Sequence, residues 1–146
     1  MKLLSKNKKV RFEYNILKEY TAGVKLLGSE IKPIKNSLST INESYCYLKD
    51  GEIFIKGMNV PLTNDGAYVH KPLRDRKLLL NKKEISNIES QIGQKGLTIV
   101  VLSINQTKTG LIKVKIATAK GKKLYDKRDT LKKRDIDIQI KREKKL

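Results

Sequence analysis

Apolar and polar residues alternate with a period of two along most of this chain, and that period predicts strands. Between Val10 and Leu27 the positions Phe12, Tyr14, Ile16, Tyr20, Val24 and Leu26 describe two linked strands, or one strand bent at Gly23. Ser44 to Lys49 and Glu52 to Met58 lie on either side of Asp50-Gly51, a pair that accepts the positive φ angles of a two-residue hairpin turn, so they are expected to pair antiparallel. Leu97 to Ile104 and Leu111 to Ala117 flank Gln106 to Gly110 and predict a second hairpin, rich in β-branched residues, with Lys113 and Lys115 on its outer face.

A helical period replaces the alternation in two places. After Gly28, SEIKPIKN predicts a short helix capped by Ser29, with Ile31 and Ile34 facing inward and Pro33 tolerated only in the first turn. Asn81 and Glu84 form an N-x-x-E variant of the capping box, Ile85, Ile88 and Ile92 share one helical face, and Gly93 and Gly96 mark the end. Asn59 to Lys77, holding Pro61, Asp65-Gly66 and Pro72, is a polar connection whose length suggests function or an excursion over the surface. About six mostly antiparallel strands with two or three short helices, and neither βαβ alternation nor an internal repeat, predict a mainly β fold. The expected architecture is a small closed or partly open antiparallel barrel of oligonucleotide-binding (OB-like) character over residues 10–119, with a flexible N-terminus (1–9) and a basic C-terminal tail (120–146).

Charge changes this from a fold to a function. The chain carries 33 Lys and Arg against 15 Asp and Glu, a net charge of +18. Residues 120–146 hold 12 basic and 5 acidic side chains and residues 1–119 hold 21 and 10, so the folded part as well as the tail projects positive potential. AKGKKLYDKRDTLKKRD (119–135) is dense in Lys and Arg around one aromatic, Tyr125, and has no apolar face to bury. Such a segment is expected to be disordered in water and to order on a polyanion. Nucleic acid is the expected partner, with Arg74, Arg76 and Lys77 of the long connection among the RNA-binding candidates. No apolar run approaches the ~20 residues of a membrane-spanning helix, and Met1 to Val10 lacks the apolar core of a signal peptide, so the expectation is a cytoplasmic protein without a membrane partner.

Catalytic chemistry finds no support in the residues. One His, one Cys and the absence of H-x-E, C-x-x-C or G-x-x-x-x-G-K-[ST] spacing leave no catalytic residue, cofactor or metal to assign. Cys46, in an apolar alternating stretch, reads as an inert strand residue, and His70 as a loop residue with a local hydrogen bond in preference to a phosphate contact. Two other binding classes fit the charge. A cold-shock type single-strand binder needs a platform of several aromatics, whereas aromatics form 5% of this chain and Trp is absent. A structural ribosomal protein differs in staying stoichiometric on every ribosome.

GSEIKPIK (28–35), RDRKLLLNKKEI (74–85) and AKGKKLYDKR (119–128) occur in order with near-uniform spacing, and through them the chain resembles the SsrA-binding protein family, small protein B, from about Val10 to Arg134. The resemblance implies a monomeric, non-enzymatic RNA-binding factor that carries transfer-messenger RNA, held by its tRNA-like domain, to ribosomes stalled without a stop codon. It implies RNA contacts at Glu30, Leu80 and Asn81, and contacts of the tail with the decoding centre and messenger channel at Gly121, Lys122, Lys123, Tyr125, Asp126, Lys127 and Arg128. Each has an ordinary alternative. Glu30 also suits the first turn of a helix, Leu80 a core, Asn81 a helix cap, and the tail cations a solvated charge run.

Overall fold

The computed structural model describes residues 1–62 and 70–122, and the elements named here are those of the described residues. The Asp50-Gly51 hairpin forms as expected: both residues have positive φ, 53° and 74°, and strands β3 (Tyr45–Lys49) and β4 (Glu52–Lys56) pair in register from Tyr45 opposite Lys56 to Lys49 opposite Glu52. The second hairpin joins β6 (Thr98–Gln106) to β7 (Ile112–Gly121). Val10 to Leu27 resolves into a one-turn helix, α1 (Val10–Glu13), followed by a single 11-residue strand, β2 (Tyr14–Val24). A bulge at Leu17, which no residue of β7 opposes, leaves that side chain exposed and lets one strand follow the barrel's curvature.

Six strands close into a ring. β6 pairs β3, β3 pairs β4, β4 pairs the short β5 (Arg76–Leu79), β5 pairs the end of β2, β2 pairs β7, and β7 returns to β6, every pairing antiparallel. Ile53, Ile55, Leu78, Ile99, Val101, Val114 and Ile116 fill the interior together with Ile34 and Ile88 from the helices. β6 is buried on both faces, because Val100 and Leu102 pack outward with Val10 of α1, Ala117 and Ala119. That accounts for its near-continuous apolar run, TIVVLSI.

Three elements differ from the sequence expectation. The N-terminal segment expected to be flexible is a strand, β1 (Lys2–Lys6), paired with Ser103–Gln106 beside the part of β6 that β3 leaves free. Its burial rests on one side chain, Leu4, too weak a signal for periodicity to detect. Arg76 and Lys77, placed in the long connection, begin β5. The first predicted helix, α2 (Gly28–Lys35), is capped at Leu27 and not Ser29, and Pro33 sits in its second turn. Pro33 forfeits the one bond an N–H at this position would make to the Ser29 carbonyl, its ring is buried, and its own carbonyl accepts from the Leu38 N–H at 3.0 Å. Helix α3 (Lys82–Lys95) follows its prediction: Asn81 Oδ1 accepts from Glu84 N–H at 2.8 Å, and Gly96 N–H closes the far end on the Ile92 carbonyl. The Asp65-Gly66 turn lies outside the described residues.

If β1 is integral, Leu4→Ala lowers unfolding stability by about 2–4 kcal/mol, the range for a buried leucine whose cavity relaxes incompletely. Urea unfolding of the full chain measures this, and an unchanged midpoint returns residues 1–9 to a flexible extension.

Candidate nucleic-acid interface

Helix α2 and strand β5 are locked together by a buried ion pair. Glu30 and Arg76 both have no exposed surface. The Glu30 carboxylate accepts from the Leu27 N–H (2.7 Å) and Arg74 Nη2 (2.5 Å) on one oxygen, and from Nε and Nη2 of Arg76 on the other. Arg76 Nη1 donates to the carbonyls of Met58 and Arg74, each at 2.9 Å, and Nη2 also donates to the Pro72 carbonyl at 3.2 Å. All five guanidinium N–H bonds are therefore satisfied, which is what permits a charge of this kind to be buried. Burial by itself raises the carboxyl's pKa, but the hydrogen bonds from Arg74, the Leu27 N–H and Arg76 outweigh it and hold Glu30 below its ordinary value.

The same segment is tied down a second time. His70 is buried, and its Nε2 lies 2.8 Å from the Val60 carbonyl while Nδ1 lies 2.8 Å from Ser29 Oγ. A carbonyl only accepts, so Nε2 carries the proton and Nδ1 receives the serine hydroxyl. This is the local role expected of His70, and Ser29, the second residue of α2, gives its hydroxyl to this contact. Cys46 is buried in β3, and desolvation pushes its thiol far above the ordinary range, in line with an inert residue. Among the described residues no group of three His, Cys, Asp or Glu is placed to hold a metal ion, and no helix is long and apolar enough to cross a membrane.

An open groove of about 470 Å³ forms where the end of β2, α2, β5 and the β6–β7 turn meet. Leu26, Ile31, Leu79 and Leu111 give it apolar walls, and Lys35 and Lys113 place cations at it. Ile31, expected to face the core, is instead exposed toward this groove, as are Leu79 and Leu111. Gly23 belongs to the wall for a steric reason: a Cβ there would sit 3.2 Å from the Cβ of Leu79, its partner across the β2–β5 seam. Lys35 Nζ comes within 3.8 Å of the position a Cβ would take on Gly110, so helix and turn approach closely.

The predicted site residues thus separate by depth. Leu80 is half-buried against the core, and its neighbour Leu79 is the one presented to the groove. Asn81 is exposed and caps α3. Arg74 keeps 30% of its side-chain surface, and Lys77 pairs with Glu52 at 2.6 Å on the outer face. Glu30 and Arg76, both expected at the RNA surface, lie wholly inside, with no exposed atom in this structure. Leu26, Ile31, Lys35 and Lys113 were missed, since alternation marks the inward residues of strands and is silent on which outward ones converge from different elements.

The tail begins at the opposite end of β2. Gly121 pairs with Tyr14, and the Lys122 N–H donates to the Glu13 carbonyl at 2.9 Å. Lys123, Tyr125, Asp126, Lys127 and Arg128 lie outside the described residues. From Tyr14 to Gly23, the groove's nearest residue on this strand, the path is roughly 30 Å at ~3.3 Å per residue.

A closed antiparallel ring with short flanking helices and a cation-bearing groove at one end defines a small basic barrel of the OB-like class. Residues 4–146 match the model of the family described as SmpB protein. SsrA-binding proteins of Thermosipho africanus (44% identity, covering 96% of this chain and 95% of that one) and of Wolbachia sp. subsp. Brugia malayi (47%, covering 92% and 91%) are similar across their length. So is that of Cytophaga hutchinsonii, at 45% identity over 94% of this chain and 90% of that one. A solved structure described as "tmRNA-SmpB: a journey to the center of the bacterial ribosome" superposes with a TM-score of 0.67 at 35% identity, covering 82% of this chain and 84% of that one. This chain belongs to the SmpB protein family.

The buried pair has a pH signature. Because Glu30's pKa is lower folded than unfolded, its stabilisation is complete above the unfolded carboxyl value, ~4.3, and is lost as the pH falls through the lower folded value. Glu30→Gln leaves a buried guanidinium without its counter-charge and is expected to reduce stability by about 3–5 kcal/mol at pH 7. Urea titrations at pH 7 and pH 3 should show the wild-type and variant midpoints converging in acid. Midpoints that remain equally far apart at both pH values refute the assignment.

Proposed function

We propose that this chain binds the tRNA-like domain of transfer-messenger RNA through the groove end of its barrel and, through its tail, delivers that RNA to stalled ribosomes for peptide tagging. The observation that carries the reading is the position of the groove and the tail root at opposite ends of β2 in a chain whose family match spans residues 4–146. One end is free to hold an RNA while the other reaches a second partner. Leu26, Ile31, Leu79 and Leu111 offer apolar surface to a splayed nucleotide, and Asn81 and Arg74 offer donors at the margin. Lys35, Lys77 and Lys113 neutralise phosphates. Glu30 and Arg76 act as positioning residues, holding α2 against β5 so that the walls of the groove keep their spacing.

In this role the protein is an RNA-binding factor that catalyses no reaction, works as a cytoplasmic monomer and takes no cofactor. The tail residues Lys122, Lys123, Lys127 and Arg128 follow ribosomal RNA phosphates, with Gly121 and Asp126 in the same contact segment, and Tyr125 stacks on an exposed base of the decoding centre.

Truncation after Lys122, which keeps every described strand, is expected to preserve affinity for transfer-messenger RNA and to abolish tagging on a stop-less message in vitro. Loss of most RNA affinity in the truncated protein contradicts the division of labour. Within the full chain, Tyr125→Phe should retain tagging where Tyr125→Ala impairs it. Lys113→Ala tests the groove: it should lower the slope of log K against log salt by about 0.7–0.9 without altering the unfolding midpoint. An unchanged slope removes Lys113 from the interface.

A further inference from the structure

Three of the chain's eight aromatic side chains gather on the outer face of the β3–β4–β5 sheet. Tyr47 and Phe54 are directly opposed across the hairpin with their rings stacked, centroids 5.6 Å apart and planes inclined by 20°. Tyr45, two residues earlier on the same face, is 46% exposed and lies opposite Lys56. Phe54 in turn lies opposite Lys77 of β5. The two carboxylates here already have partners: Glu52 pairs with Lys77 at 2.6 Å, and Asp75 accepts the Tyr47 hydroxyl at 2.7 Å. That hydrogen bond raises the phenol's pKa, so Tyr47 remains the donor and its ring is held in one orientation. The pair also steadies the hairpin as a cross-strand contact, while the barrel's interior is filled from the other face by Cys46, Ile53 and Ile55, so these rings are on the outside.

From this geometry we infer that the β3–β4–β5 face is a second contact surface for transfer-messenger RNA, on which unpaired bases stack against Tyr45 and the Tyr47–Phe54 pair. The inference rests on the proposed function. RNA is the occupant because fixed aromatic faces beside lysines match the two parts of a single-stranded nucleotide, a planar base and a phosphate. The source is the RNA in the groove because the two surfaces are continuous: Lys77 and Leu79 point to the same side of β5, and Leu79 is a wall of the groove. Tyr45 lies opposite Lys56 and Leu79 follows the partner of Ile53, so the two are two strands and four residues apart, roughly 16 Å at ~4.8 Å between strands and ~3.3 Å between residues, a span of about three nucleotides.

The chain has no Trp, so Tyr45→Trp in the full chain creates a single reporter whose fluorescence a stacked base quenches. Titration with purified transfer-messenger RNA is expected to quench it, and Tyr45→Ala to weaken binding of the same RNA about 5- to 100-fold, with Tyr45→Phe near wild type and the salt slope unchanged. If the wild type binds this RNA while the reporter is not quenched and Tyr45→Ala binds equally well, the second surface is wrong and the groove stands. If the wild type does not bind, the proposed function itself fails. Quenching by vacant ribosomes and not by transfer-messenger RNA also overturns the inference, since it moves the partner to the ribosome.

Discussion

A guanidinium with no exposed surface must find an acceptor for each of its five N–H bonds, and Arg76 finds them on Glu30 of α2, on Met58 just after β4, and on Pro72 and Arg74 ahead of β5. None of these segments is held to the others by an unbroken ladder. β5 is four residues long and meets β2 at Gly23–Leu79 and Val24–Leu78, with one further bond from the Lys25 N–H to the Lys77 carbonyl at 2.9 Å, so this is a short seam of the ring. Glu30 then serves two purposes with one side chain: it satisfies Arg76 and Arg74, and by accepting the Leu27 N–H it fixes the first turn of α2. One carboxylate thus joins the first turn of α2 to the start of β5. Such pairs contribute little net stability over apolar residues of the same shape, but their loss is severe, because the remaining charge has no water to turn to.

β6 is the second constraint. One edge pairs with β7 along its length, while the other is shared, Ile99 and Val100 pairing with β3 and Ser103 to Gln106 with β1. Both its faces are covered, by the barrel interior and by the small cluster under α1. Around this rigid strand the two ends of the molecule are built differently. At one end, loops, α2 and a hairpin turn leave an open apolar groove with lysines. At the other, α1 and the last residues of β7 close against each other, and the tail departs from there.

This separation suits a protein with two large polyanionic partners. A single basic surface would let them compete for the same lysines, whereas a stiff barrel with the tail rooted ~30 Å along the strand from the groove lets both be engaged together. The outer face of the β3–β4 hairpin lies between these ends, bordered by β5 and the groove on one side and by Tyr45 near the tail root on the other.

Much of the fold was determined by local sequence. Period-two alternation around Asp50-Gly51, the β-branched run of β6 and β7, and the Asn81–Glu84 capping box are interactions between residues close in the chain, so their geometry is written where they stand. Net charge announced a polyanionic partner, and three short motifs announced the family. What the chain alone did not disclose depends on residues far apart. Glu30 reads as a surface helix residue until Arg76, 46 positions later, arrives beside it and takes it into the interior. Leu4 is one leucine in a basic segment until β6 offers it an edge. Ile31, Leu79 and Leu111 are ordinary apolar residues until four elements bring them to one groove, and an aromatic content of 5% gives no hint that the hairpin pairs Tyr47 with Phe54 on one face. Periodicity reports which side of an element a residue occupies, and only closure of the barrel decides which sides meet.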